Sequence, residues 1–246
     1  MGKQINIEAI SLMQEGKFEE AYELFSKLAE EHSNNLEAIY FRAIIDFGHL
    51  KTHFDQTKED FFFLSTKKNP YQLPSIQLLT VLYDLDDDFD NVIIYGPKAL
   101  ELLEKSDNVI VELRIDMCYA LARAYFHKFT AKELEKGLFY INKCFELSEE
   151  AEMEYFLLKI DILVALKKYD EAKETISKAQ STFGNAGDLY YAKEKVSYSI
   201  ALDKIAKEDV SYKDDLNDAL AYLDIYEKYS KNKYVIALTK VEIYTA

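Results

Sequence analysis

Along this chain apolar residues recur at the three- and four-residue spacing of one helix face, and sustained strand alternation is missing. Ile5, Ala9 and Leu12 mark one amphipathic stretch, and Phe18, Ala21, Phe25 and Leu28 mark a second. The second opens on Gly16-Lys17-Phe18-Glu19-Glu20-Ala21. The same order of residue types returns at Lys167-Lys168-Tyr169-Asp170-Glu171-Ala172. Each copy predicts a helix that starts after a tight turn. Its aromatic residue seals the turn against the preceding helix, and its alanine lets two helix backbones approach closely.

Used as a ruler, this stretch places equivalent helix openings at Phe18, Phe54, Phe89, near Leu134, at Tyr169 and near Leu216, in steps of 36, 35, 45, 35 and 47 residues. The spacing predicts six helix pairs, at 2–35, 36–70, 71–107, 108–150, 151–186 and 187–232, then a terminal helix at 233–246. In that last helix Val235, Leu238 and Val241 form the apolar side. A repeat stack needs such an end element with one polar face. Pro74 suits a first helical turn, Thr130-Ala131-Lys132-Glu133 has the form of a capping box, and Gly184-Asn185-Ala186-Gly187 supplies a helix stop. Ser211 to Asp215 is expected to be a polar connection. In the second unit the pattern is displaced by two residues between Ala43 and Phe54, so either Ala43 or Ile45 is the small packing residue.

These units resemble tetratricopeptide repeats, helix pairs of about 34 residues with small and large apolar residues at fixed places. Leu79, Thr80 and Tyr83, Leu121, Ala122 and Tyr125, Gly137, Ile141 and Cys144, and Tyr169, Ala172, Ile176 and Ala179 carry the likeness, which covers nearly the whole chain. It implies an all-α fold: a single right-handed superhelical α-solenoid of antiparallel helix pairs over residues 1–246. In that family the first helices line a concave face that binds extended or helical peptides. Carried onto this chain, the face includes Tyr40, Ile44 and Phe47, then Gln77, Val81 and Asp84, then Tyr119, Arg123, Phe126 and His127. Leu157, Asp161 and Val164, and then Tyr191, Lys195 and Tyr198, complete it. Many of these aromatics serve equally well as core between repeats. If the second unit slips by two residues, Arg42, Asp46 and His49 replace Tyr40, Ile44 and Phe47. The resemblance implies a non-enzymatic scaffold that binds a protein or peptide segment. A peptide-sensing regulator and a cytoplasmic assembly or secretion chaperone are the alternatives.

The family's carboxylate clamp for Hsp90 and Hsp70 tails needs Lys, Asn and Arg on three successive first helices. One frame of this chain offers Asn6 and Ile10, Phe41, then Pro74 and Leu78, and the next offers Gln77 and Val81, Ala120, then Glu154 and Leu158. Neither is a clamp, so tail binding is not expected. The acidic 14-3-3 proteins, also all-helical, need an Arg-Arg-Tyr pocket that this chain lacks.

Composition narrows the partners. The 7 Gly and 3 Pro are too few to punctuate an all-β chain, and 49% hydrophobic residues suffice for a core. A formal charge of −14 argues against nucleic acid and anionic membrane surfaces, which attract basic proteins. Cys118 and Cys144, each in an apolar helical pattern, read as core thiols of a reducing compartment. No apolar run is long enough for a membrane span, and a cytoplasmic protein is expected. Homo-oligomerisation stays open.

Candidate chemistry is sparse. His49 and His53 are spaced to share a helix face, but Leu50 stands where a zinc protease needs Glu, and no third ligand is near. Asp84, Asp86, Asp87, Asp88 and Asp90 suggest a calcium loop, yet the bidentate twelfth position falls on Pro97 or Tyr95, so an acidic helix-helix turn is the better reading. Nucleophile elbows, phosphate loops and dinucleotide fingerprints do not occur. No catalytic residue, metal site or cofactor is therefore expected.

Overall fold

A computed structural model describes residues 2–106 and 110–245, with side chains from Asn6 onward. The side chain of Ile5 and the expected repeat boundary at 107 and 108 lie outside the described residues. The described residues are helical and turn structure without a strand. The chain divides into two compact units, residues 1–120 and 121–246.

The first unit contains α1 (Gly2–Gln14), α2 (Phe18–Glu31), α3 (Leu36–Ile45), α4 (Phe54–Ser65), α5 (Gln72–Leu85) and α6 (Phe89–Glu104). Each packs on the next. The division falls inside α7 (Val111–Lys128). The second unit continues with α8 (Ala131–Leu147), α9 (Met153–Ala165), α10 (Tyr169–Phe183), α11 (Gly187–Ile205), α12 (Tyr212–Tyr226) and α13 (Lys233–Thr245).

The organising stretch forms the tight turn its composition predicts. Gly16 takes a left-handed conformation, φ 77°, while Lys17 N–H donates to the Leu12 carbonyl at 2.9 Å and Gly16 N–H to Met13 at 3.1 Å. This is the double bond of a glycine-type helix stop. Lys167 repeats it at φ 59°, with Lys168 N–H on the Leu163 carbonyl at 2.8 Å. Asp87 before α6 and Phe129 before α8 also sit two residues ahead of a helix with φ 56° and 54°. The turn geometry therefore recurs where the glycine does not.

Ala21 and Ala172 are fully buried, as the close approach of backbones requires. Each aromatic reaches beyond its own pair as well: Phe18 stacks on His49, centroids 3.5 Å apart, and the Tyr169 hydroxyl donates to Asp203 on α11 at 3.0 Å. In the second unit Gly137 brings α8 so close to α7 that an added Cβ would sit 3.3 Å from the Ala122 carbonyl oxygen.

The displaced pattern of the second pair has a physical cause. After α3 the backbone widens into a π-helical turn, Asp46–Leu50, closed by Lys51 in a left-handed conformation, φ 58°. A π turn takes up an extra residue inside a helix and shifts everything after it. Ala43 and Ile45 are both fully buried, Ala43 beside Phe61 and Leu79 and Ile45 in the cluster of Phe25 and Leu28. His49 and His53 do not share a helix face, because the helical turn ends at Leu50 and His53 caps α4.

Two helix ends differ from the sequence reading. The connection before α12 runs over 206–211, since α12 already begins at Tyr212. In α13 the buried side is Ile236 and Ile243, packed with Ala219 and Leu223, whereas Val235, Leu238 and Val241 are exposed. This helix is apolar around most of its circumference, so α12 rather than the pattern sets its phase.

Candidate functional site

In the second unit the helices α9 and α11 lie side by side. Together with the end of α7 and with α13 they wall an open cleft of about 460 Å³. Phe126 and, from the turn after α7, Phe129 form one wall, their rings 6.1 Å apart in an edge-on arrangement. Asp161, Val164 and Ala165 come from α9. Tyr191, Glu194, Lys195, Tyr198 and Ser199 come from α11, and Thr239 and Glu242 from α13. Residues 191, 194, 195 and 198 share a face because their spacings of three and four follow the helical turn.

Of the residues nominated from the sequence, the structure brings Phe126, Asp161, Val164, Tyr191, Lys195 and Tyr198 to this cleft. Lys195 is tied to Asp161 across the two helices at 2.7 Å, and its ammonium lies 4.9 Å from the Tyr191 ring centre. Tyr191 is held from behind by Tyr226 of α12, stacked at 5.0 Å. Burial pushes the Tyr191 and Tyr198 hydroxyls above the usual tyrosine range. Leu157 packs instead on the cluster of Phe156, Ala179 and Leu189. Arg123 is half-buried and His127 exposed on α7, and neither lines the cleft.

The unit-one candidates are engaged in packing. Tyr40 stacks on Tyr71 at 4.6 Å, Phe47 meets Phe61 edge-on, and Ile44 joins them around Ala43 and Leu82. Val81 packs on Ile76, Ala99 and Leu103, Gln77 is buried, and Asp84 and Tyr119 are half-buried. The slipped-frame candidates form a polar knot. Arg42 clasps Asp60 with two bonds, 2.8 and 2.6 Å, and burial alone would lower its pKa, but Asp60 raises it above the usual value. Asp46, fully buried, accepts bonds from Thr57 Oγ1 at 2.7 Å and from the Thr52 and His53 N–H groups at 3.0 Å. Burial pushes its pKa up, but these donors outweigh burial and hold it below the usual carboxylate value.

Around the histidines a second cleft of about 330 Å³ lies between α2 and the π turn. Phe18 and Tyr22 stack on His49 and His53 there. Among the described residues no group of three or more His, Cys, Asp or Glu is placed to hold a metal ion. Asp86, Asp87 and Asp88 form the α5–α6 turn, with Asp84 at the end of α5 and Asp90 at the start of α6; Asp88 caps α6 by accepting the Asn91 N–H and Asp86 pairs with Lys58.

Glu194 is the residue the sequence reading missed. It is 2% exposed, and its carboxyl has no hydrogen-bond or ion-pair partner among the described residues. Burial, reinforced by Glu242 and opposed by Lys195, pushes its pKa up to about 7. The available signal was an acidic residue in phase with Tyr191 and Tyr198 on a helix buried on several sides.

No protein-family model matches the sequence, and a search of curated proteins returns no match either. Solved structures do match. The C-terminal part of a TPR repeat-containing protein from Cytophaga hutchinsonii superposes with a TM-score of 0.60 at 17% identity, over 97% of this chain and 93% of that one. A tetratricopeptide repeat protein from Parabacteroides merdae gives 0.53 at 12% identity over 98% of both chains. The assembly chaperone of RpL4 (Acl4) gives 0.56 at 11% identity, over 100% of this chain and 96% of that one. Among the described residues no helix is long and apolar enough to cross a membrane. Helix pairs, left-handed turns ahead of the second helices and these superpositions agree: the chain has the tetratricopeptide-repeat fold.

Proposed function

We propose that this protein is a non-catalytic interaction scaffold that holds a segment of a partner protein in the cleft of α7, α9, α11 and α13. The supporting observation is an open, aromatic-walled cleft built from successive first helices, with Phe126, Tyr191 and Tyr198 presented from rigid helical backbone. Such rings give contact area at low entropic cost. The two buried thiols, Cys118 and Cys144, support a reducing, cytoplasmic setting.

The test is titration of a peptide library against the full chain and its Phe126→Ala and Tyr198→Ala variants. Each variant is expected to weaken binding by roughly ten-fold or more, the loss typical of a central aromatic contact. Unchanged affinity in both variants overturns the reading.

An assembly-chaperone role is the second reading, supported by the likeness to the RpL4 assembly chaperone and by the charge of −14, which suits a basic client. A chaperone keeps its client soluble before assembly, so suppression of client aggregation separates the two.

A further inference from the structure

The cleft contains a buried carboxyl for which the described residues supply no bonding partner. Glu194 is 2% exposed, lines the cleft and lacks a hydrogen bond or ion pair among the described residues. Lys195, its neighbour along the helix, is bonded to Asp161 at 2.7 Å. Glu242 of α13 lines the same cleft and adds a second negative charge. An unpaired buried carboxyl costs free energy, which a cation entering the cleft removes.

We propose that the cleft is a receptor for one basic side chain, a lysine or arginine, carried by the partner segment, with Glu194 as its counter-charge and Tyr198, Phe126 and Phe129 enclosing its aliphatic stem. The inference rests on the scaffold reading above and gives that scaffold a specificity. The chemistry of the walls agrees. A long basic side chain buries its methylene stem against apolar surface while its head seeks an anion, and aromatic rings attract the cation further. The raised pKa of Glu194 means that arrival of a cation also favours its ionised form. Among the described residues no group of three or more His, Cys, Asp or Glu is placed to hold a metal ion, which favours a side-chain head group over a metal ion.

The experiment uses two pools of capped heptapeptides with aromatic and aliphatic flanks, identical except for a central lysine or its uncharged isostere norleucine. Binding to the full chain is read by calorimetry near pH 8. The lysine pool is expected to bind at least roughly ten-fold more tightly, the scale of a desolvated charge pair. Glu194→Gln, close in size and shape, is expected to abolish that difference while still binding both pools, and Glu242→Gln to reduce it less. If both pools bind the wild type equally, the basic-side-chain inference fails and the scaffold reading stands. If neither pool binds, the scaffold reading fails with it. If Glu194→Gln retains the lysine preference, or if spermidine alone binds as tightly as the lysine pool, the assignment to Glu194 and to a partner's side chain is overturned. The wild-type comparison stands even if the variant does not fold.

Discussion

Asp46 and Glu194 are both buried carboxylates, one in each unit, and they differ in nearly everything else. Asp46 accepts bonds from two backbone amides and from Thr57, which together overcome the cost of burial and keep it ionised. Glu194 has no such donors and is pushed up to about 7. A buried charge that is fully bonded builds structure, whereas one left without partners is a cost that persists until something else satisfies it. Asp46 is therefore a fastening of the α3–α4 junction. Glu194, on the proposal above, is the counter-charge a partner would satisfy.

The sharpest way to break this contrast is Asp46→Ala. It orphans the Thr52 and His53 amides and the Thr57 hydroxyl, and is expected to cost about 3 kcal/mol, read as a fall in the urea midpoint. A change below roughly 1 kcal/mol would show that water replaces the carboxylate cheaply.

Glu194→Gln is expected to act in the opposite direction, and only at high pH. Because the folded pKa lies above the ordinary glutamate value of 4.5, the wild-type group contributes fully to stability below that value and loses the contribution as pH rises through about 7. The charged groups that line the cleft with it are Lys195, Glu242 and Asp161. The variant should gain about 2 kcal/mol near pH 8 and nothing near pH 4.5, measured by paired urea titrations. An equal gain at both pH values would point to packing rather than charge.

Lys51→Gly tests the junction beside Asp46. Lys51 holds a left-handed conformation, φ 58°, and glycine there is expected to stabilise by about 1 kcal/mol in thermal unfolding. The smallest effect is that of Lys195→Met. With this neighbouring cation removed, the Glu194 titration followed by carboxyl carbon NMR should move to higher pH. No movement would mean that the Asp161 pair already screens Lys195 from Glu194.

The sequence carries the helix starts well because local chemistry sets them. Gly16 and Lys167 stand at the turns, and Phe18, Phe54, Phe89 and Tyr169 each open a helix. It carries less where the backbone departs from a 3.6-residue period, as at Asp46–Leu50, since a π turn leaves no compositional mark. It also loses the phase of α13, whose apolar residues lie on several sides so that Ile236 and Ile243 compete with Val235, Leu238 and Val241. For the cleft, helical spacing finds Phe126, Asp161, Tyr191, Lys195 and Tyr198. Glu194 stays hidden because its burial comes from helices distant in sequence, and a glutamate between two lysines looks like a solvated face.

The π turn has a consequence for how such a chain tolerates change. Asp46–Leu50 touches α2, α3 and α4, so the extra residue is absorbed where it arises. In a long coiled coil an added residue throws every later contact out of step. Here the fault is quarantined within one joint, and the neighbouring helices keep their own register. A lineage built this way can gain or lose a residue at its joints without renegotiating the whole, and its sequence can drift far while the arrangement of helices endures.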